Sequence, residues 1–118
     1  MAFDWREYLA LAQYLGKGHA GVHQDAALRC AVSRAYYGAF CYARNHARDR
    51  ASYRPSYRAD DHARLIDHYR QVGSPVESLL GRLRTWRNQC DYDDSVARLE
   101  MMYKFAMASA EKVFEELR

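Results

Sequence analysis

The chain has 118 residues, 49% of them apolar and 28% charged, with a formal net charge of +3; that is enough for one hydrophobic core and too little for two domains. No apolar run approaches the ~18 residues of a membrane-spanning helix, and Met1-Ala2-Phe3-Asp4-Trp5-Arg6-Glu7 lacks the basic-then-apolar order of a secretory signal. No membrane partner is therefore expected, and the chain reads as a cytoplasmic protein.

With two prolines, six glycines and little strand-like alternation, the pattern predicts an all-helical domain over residues 1–118. A first helix is expected from about Asp4 to Gly16, with Trp5, Tyr8, Leu9, Ala12 and Leu15 on one face and Asp4 as its cap. Gly16 to Gly21 reads as a connection. The second helix, from near Val22 to about Arg48, is apolar almost all round, which suits the middle of a bundle. Asp49 to Ala59 has no helical period and reads as a loop. A third helix is expected to start at Asp60 or Asp61 and end before Gly73. Ser74 then caps a fourth helix with Pro75 in its first turn, whose apolar stripe is Val76, Leu79, Leu80, Leu83, Trp86 and Cys90. Asp93-Asp94-Ser95 can cap a last helix running to near Leu117. Its core face holds Val96, Leu99, Tyr103, Ala106, Ala110, Val113 and Phe114. A second strip of Met101, Met102, Phe105 and Met107 is expected to lie away from that face and to need cover, as a dimer surface would give.

Three cysteines without a C-x-x-C spacing fit a reducing compartment. Cys30 and Cys41 would share a helix face about 16 Å apart, too far to bridge. His19, His23 and Asp25 approach a metal-ligand spacing, but Gly21 interrupts them and no cysteine joins. There is no phosphate-cradling glycine motif and no triad signature, so neither a metal nor a cofactor is expected.

The informative positions are polar. Ser33-Arg34-Ala35-Tyr36-Tyr37-Gly38-Ala39-Phe40 sets a polar pair and two tyrosines in the apolar second helix, and Arg87-Asn88-Gln89-Cys90-Asp91-Tyr92-Asp93 closes the fourth. Buried polar groups are costly unless paired, so the two segments are expected to meet. Ser33, Arg34, Tyr37, Asp91 and Asp93 would form that cluster, with Arg34 bonded to Asp91 or Asp93; the alternative is that Arg34 snorkels to solvent. Between the segments, Arg44, Arg48, Arg50, Arg54 and Arg58 face Asp49 alone and interleave with Tyr53 and Tyr57. Arginine neutralises phosphate and tyrosine offers a stacking face, so this stretch is a candidate single-stranded RNA contact. The alternative is a solvated loop whose arginines pair elsewhere.

In their order and spacing, the Ser-Arg-Ala-Tyr-Tyr-x-Ala-Phe helix and the Arg-Asn-x-x-Asp-Tyr-Asp segment resemble HEPN-domain proteins, closest to their small single-domain prokaryotic branch. The resemblance covers about Asp25 to Leu117. It implies an antiparallel bundle of about four to five helices that dimerises across a shared cleft. It also implies membership among metal-independent ribonucleases, toxins paired with a nucleotidyltransferase protein, or inactive RNA-binding and assembly modules. The family's active pattern is an arginine, often followed by a polar residue, and then a histidine a few residues on. Arg87 and Asn88 match its start, and Tyr92 stands where the histidine would be.

For cleavage through a 2′-hydroxyl, Arg87 could stabilise the phosphorane and Asn88 orient a phosphate oxygen. Tyr92 is a poor base, since a phenol of pKa ~10 is ionised in roughly one molecule in a thousand at pH 7. A histidine, whether His46, His62 or another, would have to reach the cleft. The structural alternative for this motif is an Arg87–Asp91 surface pair, with Tyr92 packed under the last helix. Arg87 and Tyr92 converge only if their helix ends near Cys90. The sequence therefore points to an RNA-associated or toxin–antitoxin-type component without efficient catalysis of its own. An endoribonuclease using Arg87 with Tyr92 or another proton-transfer group, and a pure protein-interaction module, are the alternatives.

Overall fold

The computed structural model describes residues 2–118, which contain no strand. Five helices carry the chain: α1 (Arg6–Leu15), α2 (Gln24–Arg50), α3 (Asp61–Gln71), α4 (Val76–Tyr92) and α5 (Leu99–Glu116). α2 is the axis, packing on α1, α4 and α5 and touching α3. Alanines at 27, 31, 35, 39, 43 and 47 of α2 are buried, and their short side chains let the neighbouring backbones come close. Gly38 takes this furthest. A Cβ there would lie 3.0 Å from the Trp5 carbonyl oxygen and 3.0 Å from Tyr8 Cβ, so the start of α1 rests on bare α2 backbone.

Leu65 and Tyr69 of α3, Val76, Leu79, Leu80 and Leu83 of α4, and Ala106, Ala110 and Val113 of α5 complete one core cluster. The Tyr69 hydroxyl donates to the Ala43 carbonyl at 2.7 Å and ties α3 to α2. No helix is long and apolar enough to cross a membrane among the described residues.

Helix ends follow the sequence expectations in part. Trp5 immediately precedes α1, and Asp4 Oδ1 accepts the Arg6 N–H at 3.1 Å, so Asp4 does serve the first turn, while its carboxylate also holds the Arg6 guanidinium at 3.0 Å. α2 begins at Gln24, where His23 Nδ1 accepts the Ala26 N–H at 3.4 Å, and extends to Arg50. Ser74 Oγ does accept the Val76 N–H, at 3.2 Å. Asp93-Asp94-Ser95 do not cap α5, which starts after Arg98 in a left-handed conformation (φ 54°) with no side-chain cap. Met107 is buried and Met102 half-buried against the core, so the expected outer strip of α5 reduces to Met101 and Phe105.

Candidate nucleic-acid interface

The two polar segments come together. Asp91 Oδ2 accepts from Ser33 Oγ at 3.2 Å and from Arg87 Nε at 2.9 Å, so one carboxylate oxygen joins α2 to α4. Arg87 Nη1 also donates to Asn88 Oδ1 at 2.8 Å. The Arg87 side chain is only 15% exposed, and its guanidinium lies over the rings of Tyr37 (5.0 Å) and Tyr92 (5.6 Å). α4 runs on through Tyr92, yet arginine reach still brings its charge to that ring. Tyr92 is 73% exposed and does not pack under α5.

Arg34 bonds neither Asp91 nor Asp93. Its guanidinium sits over Tyr8 (5.1 Å) and Tyr37 (5.2 Å), with Nη2 donating to Ser33 Oγ at 3.4 Å. The end of α4 is taken by Arg29, which donates to the carbonyls of Cys90 (3.1 Å), Asp93 (2.6 Å) and Asp94 (3.1 Å). The Cys90 carbonyl is one that the helix C-terminus leaves unpaired, and those of Asp93 and Asp94 belong to the segment that follows it. Asp93 therefore enters the cluster through its backbone and not its carboxylate.

Beside this cluster a cleft of about 290 Å³ opens between α2, the α2–α3 loop and the start of α3, lined by Tyr37, Phe40, Arg44, Tyr57, Arg58 and His62 among others. The loop owes its shape to Asp61, whose side chain is 3% exposed. Its carboxylate accepts from the Ser56 N–H (3.0 Å), Ser56 Oγ (2.7 Å), the Tyr57 N–H (2.7 Å) and Arg64 Nη1 (2.7 Å). Asp61 is thus the organiser of the loop and not a cap for α3. Burial pushes its carboxyl up, but these donors together hold it below the usual range.

His62 is stacked on Phe40 at 4.5 Å, and its Nδ1 is hydrogen-bonded to the Tyr36 hydroxyl. Burial lowers the proton affinity of His62, and the charges of Arg84 and Arg87 lower it further against the pull of Asp61. Burial raises the Tyr36 hydroxyl well above its ordinary value, so it keeps its proton. A phenol that donates to Nδ1 leaves the ring hydrogen of neutral His62 on Nε2, which has no hydrogen-bond partner among the described residues.

The basic stretch divides. Arg44 covers the Tyr57 ring at 5.3 Å and, with Tyr57 and Arg58, lines the cleft. Arg48 does not line it and is tied to Asp49 (2.9 Å) and to the Tyr57 hydroxyl (3.4 Å). Arg50 belongs to a separate depression with Phe3, Trp5, Tyr42 and His46. Tyr53 turns toward α3, under the Arg64 guanidinium (5.3 Å) and beside His68 (5.4 Å), with its hydroxyl buried and unpartnered. Arg54 is exposed and does not line the cleft. The near-metal trio is dispersed, with His19 stacked on Tyr14 and His23 serving as a helix cap. The described residues hold no group of three or more metal-ligating side chains that could bind an ion.

The charge balance is one-sided. Arg34, Arg44, Arg84 and Arg87 are all half-buried. Of these only Arg87 has an acidic partner, Asp91, while the other nearby carboxylate, Asp61, is spent on the loop. Arg29 and Arg84 carry no sequence signal of their own, although Arg84 lies one turn before Arg87 on the same face of α4. Partly desolvated arginines without counter-ions are what a polyanion site requires. No family model, curated protein or solved structure matches the chain, so its function has to be argued from this geometry.

Proposed function

We propose that the chain is a HEPN-like helical bundle that holds RNA along the cleft between α2, the α2–α3 loop and the start of α3 and the arginines beside it, as the RNA-associated component of a toxin–antitoxin or defence-type system. The observation that carries this reading is the set of four half-buried arginines, three of them without an acidic partner. A phosphate backbone supplies the missing charge. The Nε2–H of neutral His62 is a further donor for a phosphate oxygen. A second copy of the chain would cover Met101 and Phe105, which are 49% and 55% exposed. The nucleotidyltransferase partner follows from the sequence resemblance alone.

The test is binding of a labelled single-stranded RNA across a salt series. Each phosphate neutralised contributes about −0.7 to the slope of log K against log salt, so three arginines predict a slope near −2. Arg84→Gln is expected to weaken binding and flatten that slope. Binding that ignores salt, or none at low salt, refutes the reading.

Endoribonuclease activity is the second reading, favoured by one observation: His62 lines the cleft, where burial and the charges of Arg84 and Arg87 lower its proton affinity. As general base it would have to reverse its tautomer, with Nδ1–H donating to the Tyr36 oxygen and Nε2 free to accept the 2′-hydroxyl proton. Arg87 would then stabilise the phosphorane. Cleavage in the presence of EDTA, lost in both His62→Ala and Arg87→Ala, would establish this activity; binding without cleavage leaves the first reading alone.

A further inference from the structure

The row of arginines is matched by a row of tyrosines. Tyr57 stands under Arg44, Tyr37 between Arg34 and Arg87, and Tyr92 under Arg87. Tyr37 is half-buried, but the two outer members are 66% and 73% exposed. Each outer ring thus carries a guanidinium over it while most of the residue faces solvent. Neither does much for the core, and a large aromatic left open beside paired cations calls for another explanation than packing.

Tyr57 adds an independent observation. Its φ is +58°, a left-handed conformation that a bulky residue adopts at a cost and that glycine would adopt freely. The buried Asp61 carboxylate holds it there through the Tyr57 N–H. The fold therefore keeps a strained, exposed ring in a fixed place where an unstrained residue would serve the loop better. Strain of this kind is retained where the side chain has a task.

We infer that Tyr57 and Tyr92 are base-stacking platforms flanking the arginine row, so that the cleft takes single-stranded nucleic acid with unstacked bases and discriminates against duplex. This rests on the RNA-binding reading and names its substrate class. The alternation explains itself chemically: phosphates bind the guanidinium groups, and each outer ring offers its π-face to a base, as single-strand sites do without sequence preference. A duplex, whose bases are already stacked, gains nothing from either ring.

The experiment is fluorescence anisotropy at low salt with a mixed-sequence 12-nucleotide RNA, the DNA of the same sequence, and the RNA annealed to its complement. The proteins are wild type, Tyr57→Phe, Tyr57→Gly and Tyr92→Ala. Wild type is expected to prefer the single strand over the duplex about tenfold or more. Tyr92→Ala and Tyr57→Gly should each weaken single-strand binding by roughly five- to a hundredfold, while Tyr57→Phe, which keeps the ring, stays within about twofold of wild type. The thermal melt of Tyr57→Gly should be no lower than wild type, which separates loss of a platform from loss of fold. Equal RNA and DNA affinity supports stacking on the base, whereas strong RNA preference with unchanged Tyr57→Gly binding overturns it. If wild type binds in a salt-dependent way but neither tyrosine variant weakens it, the platforms are refuted and the arginine site stands. If wild type binds no nucleic acid, both fall together.

Discussion

Asp61→Ala should be the most damaging single truncation near the cleft. The side chain is 3% exposed and accepts four hydrogen bonds, two from backbone N–H groups, one from a hydroxyl and one from the Arg64 guanidinium at 2.7 Å. Hydrogen bonds to a charged acceptor are worth about 1.5–3 kcal/mol each. They will not add, because Ser56 and Tyr57 are exposed and can turn to water once the loop unfastens. Removing one partner of a buried ion pair costs about 3–5 kcal/mol, and Arg64, at 42% exposed, recovers part of that by hydration. The expected loss is therefore about 3 kcal/mol for Asp61→Ala and about 2 kcal/mol for Asp61→Asn, which keeps one acceptor oxygen.

Urea unfolding followed by circular dichroism at 222 nm measures it, and trypsin cleavage after Arg58 should quicken in both variants. The acid limb gives a second check. A carboxyl held below its unfolded value of about 3.9 contributes stability that is full above that pH and is lost as pH falls through the lower folded value. Asp61→Asn should lack that acid-sensitive component. A loss under about 1 kcal/mol, with unchanged proteolysis, would refute the view that Asp61 shapes the loop.

Other substitutions test the packing and the cluster. Gly38→Ala should destabilise by about 1–2 kcal/mol, since crowding against Trp5 and Tyr8 at 3.0 Å outweighs alanine's helix preference of about 1 kcal/mol. Gly81→Ala, where nothing lies within 4 Å of the new Cβ, should stabilise by about 0.5–1 kcal/mol; parallel thermal melts decide both signs. Arg29→Ala removes three bonds to the end of α4 and should cost about 1–3 kcal/mol, with faster amide exchange at 93–95 than in the body of α4. His62 takes up a proton less readily folded than unfolded, so its contribution is full above about pH 6.5 and is lost as pH falls below that toward the lowered folded value. Chemical unfolding at about pH 7.5 and pH 5.5 should show wild type losing more stability on acidification than His62→Gln.

Periodicity made the helices legible, because burial of an apolar stripe is a property of one segment and its spacing. Caps were less legible, because an aspartate at a helix start has other donors to choose from, and Asp61 took those of the loop before α3. Two errors of the cluster were avoidable by helical arithmetic alone. Arg29 lies four residues before Ser33 and so shares its face toward α4, whereas Arg34 is turned about 100° away, toward α1, where Tyr8 receives it. Met107 likewise sits four residues after Tyr103 and three before Ala110, which puts it beside the core stripe of α5.

His62 was legible only as a condition, since nothing in the spacing of α3 says which way its first turn faces. Its partner decides its chemistry. Tyr36, fully buried and held as a phenol, can give Nδ1 a proton more easily than it can leave Nδ1 to carry one, because reversing the pair strands its own hydrogen without an acceptor. The cleft thereby favours an imidazole that presents N–H to an incoming oxygen. That polarity suits holding a phosphate oxygen better than abstracting a proton from a 2′-hydroxyl. Surrounding it with arginines strengthens the bias in the same direction, since each cation that attracts the backbone also discourages the imidazolium that base catalysis would have to form.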